Sequence, residues 1–293
     1  MTVNVFNKNT INKIKGPLFT LTPLTLWLSI LVAIPLLFVV VMGFLSRGTY
    51  GNVEFEFTLN NYIRIFDPMY LKMLMTSLGL SLVTTVICLT AGYPFAYFIA
   101  NSNKKIRSIL LMLIIIPFWT NSLIRTYAWI ILLRTSGIIN SYLLQFGIIN
   151  EPIQFLYTNG AVVLGLTYTL FPFMILPLYA SIESLDKRYL EAAQDLGANP
   201  WITFWKVTVP LTMPGIIAGC ILVFIPTLGL FFIPDLMGGS KIMLISNFIK
   251  NQFLTARDWP FGSAASIVLI ALTFVLLGVY IKILKKNKNM EVL

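Results

Sequence analysis

The residues of this 293-residue chain whose types and spacing can do chemistry are few, and they narrow the possibilities quickly. The chain has no histidine, which removes Ser-His hydrolysis and the common histidine metal sites. It has no GxxxxGK[ST] phosphate loop. Gly238-Gly239-Ser240-Lys241 reads only as a glycine-containing turn. Cys88 and Cys220 both lie within apolar runs and read as small apolar residues. No metal, cofactor or catalytic residue is expected, and any use of ATP requires another chain to bind it. What remains is non-covalent recognition. Asp235 follows an apolar run broken by Pro226 and Gly229. An acid at the mouth of a broken membrane helix is a pathway candidate, and a Pro234-Asp235 turn is the alternative. Trp119, Tyr127, Trp129 and Trp259 suit either a membrane-interface belt or contact with a solute. Asp67 before Pro68 and Asp258 before Trp259-Pro260 read as turn or cap acids. Glu54 and Glu56 read as solvated. Arg125, beside Asn121 among apolar residues, is assigned a structural role, snorkelling or pairing with an acid of another subunit.

The elements that must position these residues are membrane helices. Hydrophobic residues make up 57% of the chain and charged residues 11%, well below the roughly 25% charged of soluble domains. Apolar runs reach the roughly 20 residues needed to cross the hydrocarbon core. About six spans are expected, near 18–45, 74–100, 108 to beyond Pro117, 160–182, 209–233 and 259–284. The fold class is all-α integral membrane, with a cytoplasmic N-terminus 1–17, one transmembrane domain 18–284 and a cytoplasmic tail 285–293. The first span is too long for a cleaved signal peptide and reads as a retained anchor. Residues 46–70 are polar, with caps for a short helix at Thr58–Tyr62. Residues 135–159 read as an interfacial helix and loop. The net charge of +10 does not point to nucleic acid, because the basic residues sit between apolar runs. Most of the 21 Lys and Arg fall at both termini, in loop 101–107 and in segment 183–208. By the positive-inside rule those regions are cytoplasmic.

One of these cytoplasmic segments stands apart. Leu185, Tyr189, Ala192, Ala193 and Leu196 recur at three- and four-residue spacing, which is one face of a helix. Ser184 is a candidate N-cap and Asp186 suits the first turn. Gly197 fits the left-handed position that ends a helix, Asn199-Pro200 forces a turn, and Trp201–Val207 can form a second short helix before Pro210. The loop 184–208 is thus a helix, a sharp turn and a helix, too polar for lipid and too small for a domain, and suited to docking another protein.

Glu191-Ala192-Ala193, Gly197, Val209-Pro210-Leu211 and Pro214-Gly215 resemble the EAA loop of ABC-importer inner-membrane permeases. Val207-Thr208-Val209-Pro210 stands where that family often has Ile-x-Leu-Pro. Within the family, the spermidine/putrescine importer permeases are similar in three further stretches: Pro117–Trp129, Phe232–Gly239, and Asn251–Leu254 with Arg257–Gly262. The resemblance implies a type I importer permease fold and a polyamine as solute. It implies two ATPase subunits gripping a loop in which Glu191, Ala192, Ala193, Leu196 and Gly197 couple. It implies also a second related permease, an extracytoplasmic substrate-binding protein and a bacterial inner-membrane location. A self-sufficient secondary transporter or channel is the alternative. It would need internal repeats or ion-carrying intramembrane charges, and neither is clear in the sequence.

Overall fold

The computed structural model describes residues 8–49 and 51–290, with side chains described for 21–49, 51–279 and 281–282. Residues 1–7 and 291–293, and the basic side chains of the predicted cytoplasmic N-terminus and tail, lie outside the described residues. The described residues open with α1 (Lys8–Gly43), whose part Leu21–Gly43 is apolar and exposed over most of its length, becoming buried at Met42 and Gly43. The fold is mostly helical, as expected, and the polar stretch after α1 adds one short β-hairpin to it. β1 (Leu45–Arg47) pairs antiparallel with β2 (Val53–Phe57), and α2 (Asn60–Ile65) follows. Buried Asn61 fixes this unit by donating to the carbonyls of Gly43 (3.2 Å) and Leu45 (2.8 Å), which the end of α1 leaves free. Tyr62 packs on Phe44 with ring centroids 5.0 Å apart, and burial raises the pKa of its hydroxyl.

The second span, α3 (Pro68–Asn101), starts earlier than hydropathy alone suggests. Asp67 caps it by accepting from the Met69 N–H at 3.0 Å, and Pro68 fills the first helical position. The third span is bent by 94°. Here α4 (Lys104–Ile115) tightens into a 3₁₀ turn over Ile116–Trp119, and the chain restarts as α5 (Ser122–Leu133), capped by Asn121 through the Leu123 N–H at 2.8 Å. Pro117 explains the break. A short helix, α6 (Ile138–Gln145), lies in the segment expected to be interfacial, and α7 (Asn159–Glu183) is the fourth span. Then come α8 (Arg188–Asp195), α9 (Pro200–Thr203) and a wide π turn over Phe204–Thr208. The fifth span is also bent, by 66°, between α10 (Val209–Leu211) and α11 (Met213–Gly229). It therefore starts in earnest at Met213, not at Pro210. The chain ends with α12 (Ile245–Leu254) and α13 (Trp259–Met290). Among the described residues, four helices are long and apolar enough to span a membrane, and the count is six if each bent pair is one span.

The bundle core lies between α3, α7 and α11, where Cys88, Tyr93, Ala96, Met174, Leu178 and Val223 are buried together. Small residues allow this approach. A methyl group added at Gly215 of α11 would sit 2.7 Å from the Pro177 carbonyl of α7, a backbone atom that cannot swing away. Gly215→Val should therefore force the two helices apart and destabilise the permease by about 1–3 kcal/mol or more, the usual range for overpacking. A thermal-unfolding measurement on the purified variant checks this.

Candidate functional site

The helix-turn-helix expected at 184–208 is present. Its first arm, α8, buries no residue. The N-cap expectation for Ser184 is not met, because α7 runs on through Glu183 and Ser184 closes it, its hydroxyl donating to the Ser181 carbonyl. Asp186 takes over the capping, accepting from the Arg188 N–H at 3.0 Å. Gly197 has φ +80°, and open space surrounds the point where a Cβ would project. The Gly197 and Ala198 N–H groups close onto the carbonyls of Gln194 and Ala193, which ends α8 in the manner of a left-handed helix stop. Asn199 then caps α9 through the Ile202 N–H at 2.8 Å.

The turn thrusts Leu196 outward, 89% exposed, beside Trp201 at 70% and an exposed Tyr189. These three side chains make the tip of the knob apolar as well as exposed. The second arm is anchored. Phe204 packs edge-on against Tyr93 at 5.5 Å and Tyr97 at 6.4 Å, and joins the bundle core. The Tyr93 hydroxyl shares a 2.8 Å hydrogen bond with Thr212 at the bend of the fifth span. At the base, Arg107 of α4 pairs with Glu183 of α7. The second arm is thus tied to α3 and the bend of the fifth span through Phe204, Tyr93 and Thr212. Phe204 was not anticipated from the sequence. Its four-residue spacing from buried Thr208 puts it on the inner side of a short amphipathic segment, and that was the available signal.

The second locus is the break after α11. Pro226 and Gly229 end that helix, leaving the carbonyl of Leu230 without a helical partner and that of Phe231, which takes the Asp235 N–H at 3.1 Å, with room for a second donor. Within a membrane these must be satisfied locally. α12 supplies the donors: Ser246 donates to the Leu230 carbonyl at 3.1 Å and Asn247 to that of Phe231 at 2.8 Å. The chain then winds into a π turn, Pro234–Gly238, a form that recurs at functional sites. Asp235 in that turn accepts from Asn247 and forms an ion pair with Lys250. The Lys250 ammonium lies 5.9 Å from the centroid of the Phe231 ring. A cleft of about 440 Å³ opens beside it, lined by Phe231, Ser246, Lys250, Phe253, Leu254 and Ser266 among others. Asn247 and Lys250 lie one turn apart on α12, on the face that also carries Ser246. A polar stripe at helical spacing was the sequence signal for all three.

A third cluster orders the N-terminal end of the sixth span. Asp258 caps α13, its carboxylate accepting from the Phe261 N–H at 3.2 Å and its carbonyl from that of Gly262. Its side chain is 2% exposed and is met by Arg64 at 3.1 Å and Arg47 at 3.7 Å. Arg64 also lies 3.9 Å over the Phe261 ring, and Arg47 donates to the Ala256 carbonyl. The cap reading of Asp258 agrees with the geometry, and the two arginines come to it from a loop that looked merely polar.

The sequence-selected residues thus fall into separate places. Glu191, Ala192, Ala193, Leu196 and Gly197 are together on the knob. Asp235 borders the cleft through Lys250. Trp259 reaches the same cleft only through Phe253, at 6.1 Å between rings. Trp129 of α5 packs edge-on against Tyr168 at 5.6 Å, and Arg125 lies between the Phe118 and Tyr168 rings at 5.5 and 5.6 Å. Trp119, 82% exposed, and the exposed Tyr127 point away from the core. The aromatic set is not assembled into one site.

The chain matches known proteins along most of its length. Residues 92–287 match the family model described as "Binding-protein-dependent transport system inner membrane component". The "Spermidine/putrescine transport system permease protein PotB" of Escherichia coli (strain K12) is 51% identical over 268 residues, covering 90% of this chain and 98% of that one. The protein of the same name from Haemophilus influenzae is 48% identical over 268 residues, covering 90% and 94%. Among solved structures, a chain of a bacterial ABC transporter involved in the import of the acidic polysaccharide alginate superposes with a TM-score of 0.73 at 17% identity, covering 95% of this chain and 98% of that one, so the fold is that of an ABC-importer permease. With the knob, the broken fifth span and this extent of matching in hand, the chain belongs to the inner membrane components of binding-protein-dependent transport systems.

Proposed function

We propose that this chain is one of two related permeases in an ATP-driven importer of polyamines, spermidine or putrescine. A soluble binding protein outside the cell delivers the solute, and two ATPase subunits act on the knobs at the cytoplasmic face. Both chain termini are placed on that same face, following the distribution of Lys and Arg. The observation that carries the mechanism is the exposed tip at Leu196 and Gly197, rigidly tied through Phe204 and Tyr93 to the core helices. An apolar tip on a solid mount transmits a partner's motion, whereas a flexible loop would absorb it. Closure of the ATPases then draws the knobs together and turns the pathway from inward- to outward-facing. Glu191, Ala192 and Ala193 line the outer surface of α8 as part of the gripped face. The solute class rests on the relatives named for spermidine and putrescine, and the apolar membrane interior makes a carboxylate and aromatic rings the natural holders of a polycation.

The test is reconstitution of the chain with its partner permease, ATPase and binding protein in proteoliposomes. ATP-dependent accumulation of radiolabelled spermidine or putrescine is expected, with no accumulation when the ATPase is omitted. Gradient-driven uptake by this chain alone would establish a secondary transporter instead.

A further inference from the structure

We propose that Lys250 is a tethered stand-in for the amine being carried, and that the solute enters its cleft by displacing it. Lys250 ends in a primary ammonium on a four-carbon stem, chemically the same as one end of putrescine. That ammonium is held as a free alkylammonium would be: paired with the Asp235 carboxylate and set against the Phe231 ring at 5.9 Å. Asn247 completes the cage. It is 2% exposed, its amide N–H groups are committed to Asp235 and the Phe231 carbonyl, and its Oδ1 is buried with no hydrogen-bond partner. A buried acceptor without a donor is costly, and an ammonium that is not tethered to α12 is free to turn one of its three N–H groups toward it. The cage borders a cleft of about 440 Å³, room for an aliphatic chain, with Phe253 as an apolar wall.

Asp235 stays paired throughout, one ammonium leaving it as another arrives, and the displaced Lys250 cation and any second ammonium of the solute must reach water at the cleft opening. Lys250 itself is only partly buried, with a quarter of its side chain exposed, and its stem can swing toward the cleft opening. In the absence of solute, Lys250 keeps the carboxylate neutralised.

This inference rests on the polyamine reading, and its test separates the two. The assembled complex in nanodiscs, without binding protein, is assayed for binding of radiolabelled putrescine and, separately, of n-butylammonium. Lys250→Met removes the ammonium and keeps the stem. It should raise affinity for both amines at least tenfold, and adding Asp235→Asn should abolish the gain. Lys250→Arg retains a cation that grips a carboxylate in bidentate fashion. It assembles without leaving Asp235 unpaired, and should lower putrescine affinity and uptake several-fold. Unchanged affinity in either variant overturns the proposal. If butylammonium responds as expected and putrescine does not, the cage stands and the polyamine assignment falls.

Discussion

Gly197→Val is expected to cut solute-stimulated ATP hydrolysis and uptake about tenfold or more while leaving the permease folded. The reason is conformational, not steric. At φ +80° glycine sits where an L-residue costs about 1–2 kcal/mol, and a β-branched one more. Nothing within 4 Å would collide with the added Cβ, so the bundle itself is spared. The cost falls on the turn that projects Leu196. At about 1.4 kcal/mol per factor of ten, the population presenting the tip correctly drops by roughly that factor. Gly197→Asn supplies the control, because asparagine tolerates the left-handed region and ends helices there. It should retain most activity, and Gly197→Ala should fall between. The measurement is ATPase activity of the reconstituted complex with and without loaded binding protein. Survival of both coupling and uptake in the valine variant would remove the docking role from this loop.

Asp258→Ala carries the largest expected loss of stability. It removes a carboxylate that caps α13 and neutralises two arginines, in a side chain only 2% exposed. Breaking a buried pair costs about 3–5 kcal/mol. The lower end applies, about 3 kcal/mol, because Arg47 and Arg64 are nearly half exposed and can turn toward water. Arg64 would still lie on Phe261, but the link from the β-hairpin and α2 to the sixth span would be lost. Asp258→Asn keeps a cap-competent side chain and should lose distinctly less. Thermal unfolding of the purified variants in one detergent ranks them. An alanine variant within about 0.5 kcal/mol of the parent, the range of ordinary surface substitutions, would mean that the clasp holds nothing together.

The amino-acid sequence alone determined which segments meet lipid and which do not. Length and apolar continuity are one-dimensional properties, and a helix that satisfies its own backbone needs no partner to be recognised. The same holds for the knob. The glycine stop, the Asn199-Pro200 turn and the α8 face are local signals, and all fall within a few residues of each other. The resemblance carried by Glu191-Ala192-Ala193 and the glycine after it was legible for that reason. Hydropathy could not show that the third and fifth spans bend, because Pro117 and the Thr212 bend interrupt geometry without interrupting apolarity. Nor could it show the β-hairpin, whose short strands carry no long periodicity.

Only the tertiary structure decided the partners of the charged residues. Asp235 meets Lys250 across 15 positions and Asp258 meets Arg64 across 194, and spacing along the chain holds no record of either meeting. The same is true of Phe204, whose role depends on Tyr93 arriving from another span. The physical reason is that burial of a charge is settled by whichever neighbour the packing brings to it. A membrane helix chooses its lipid face from its own composition, but its inner face is read only against the helices beside it.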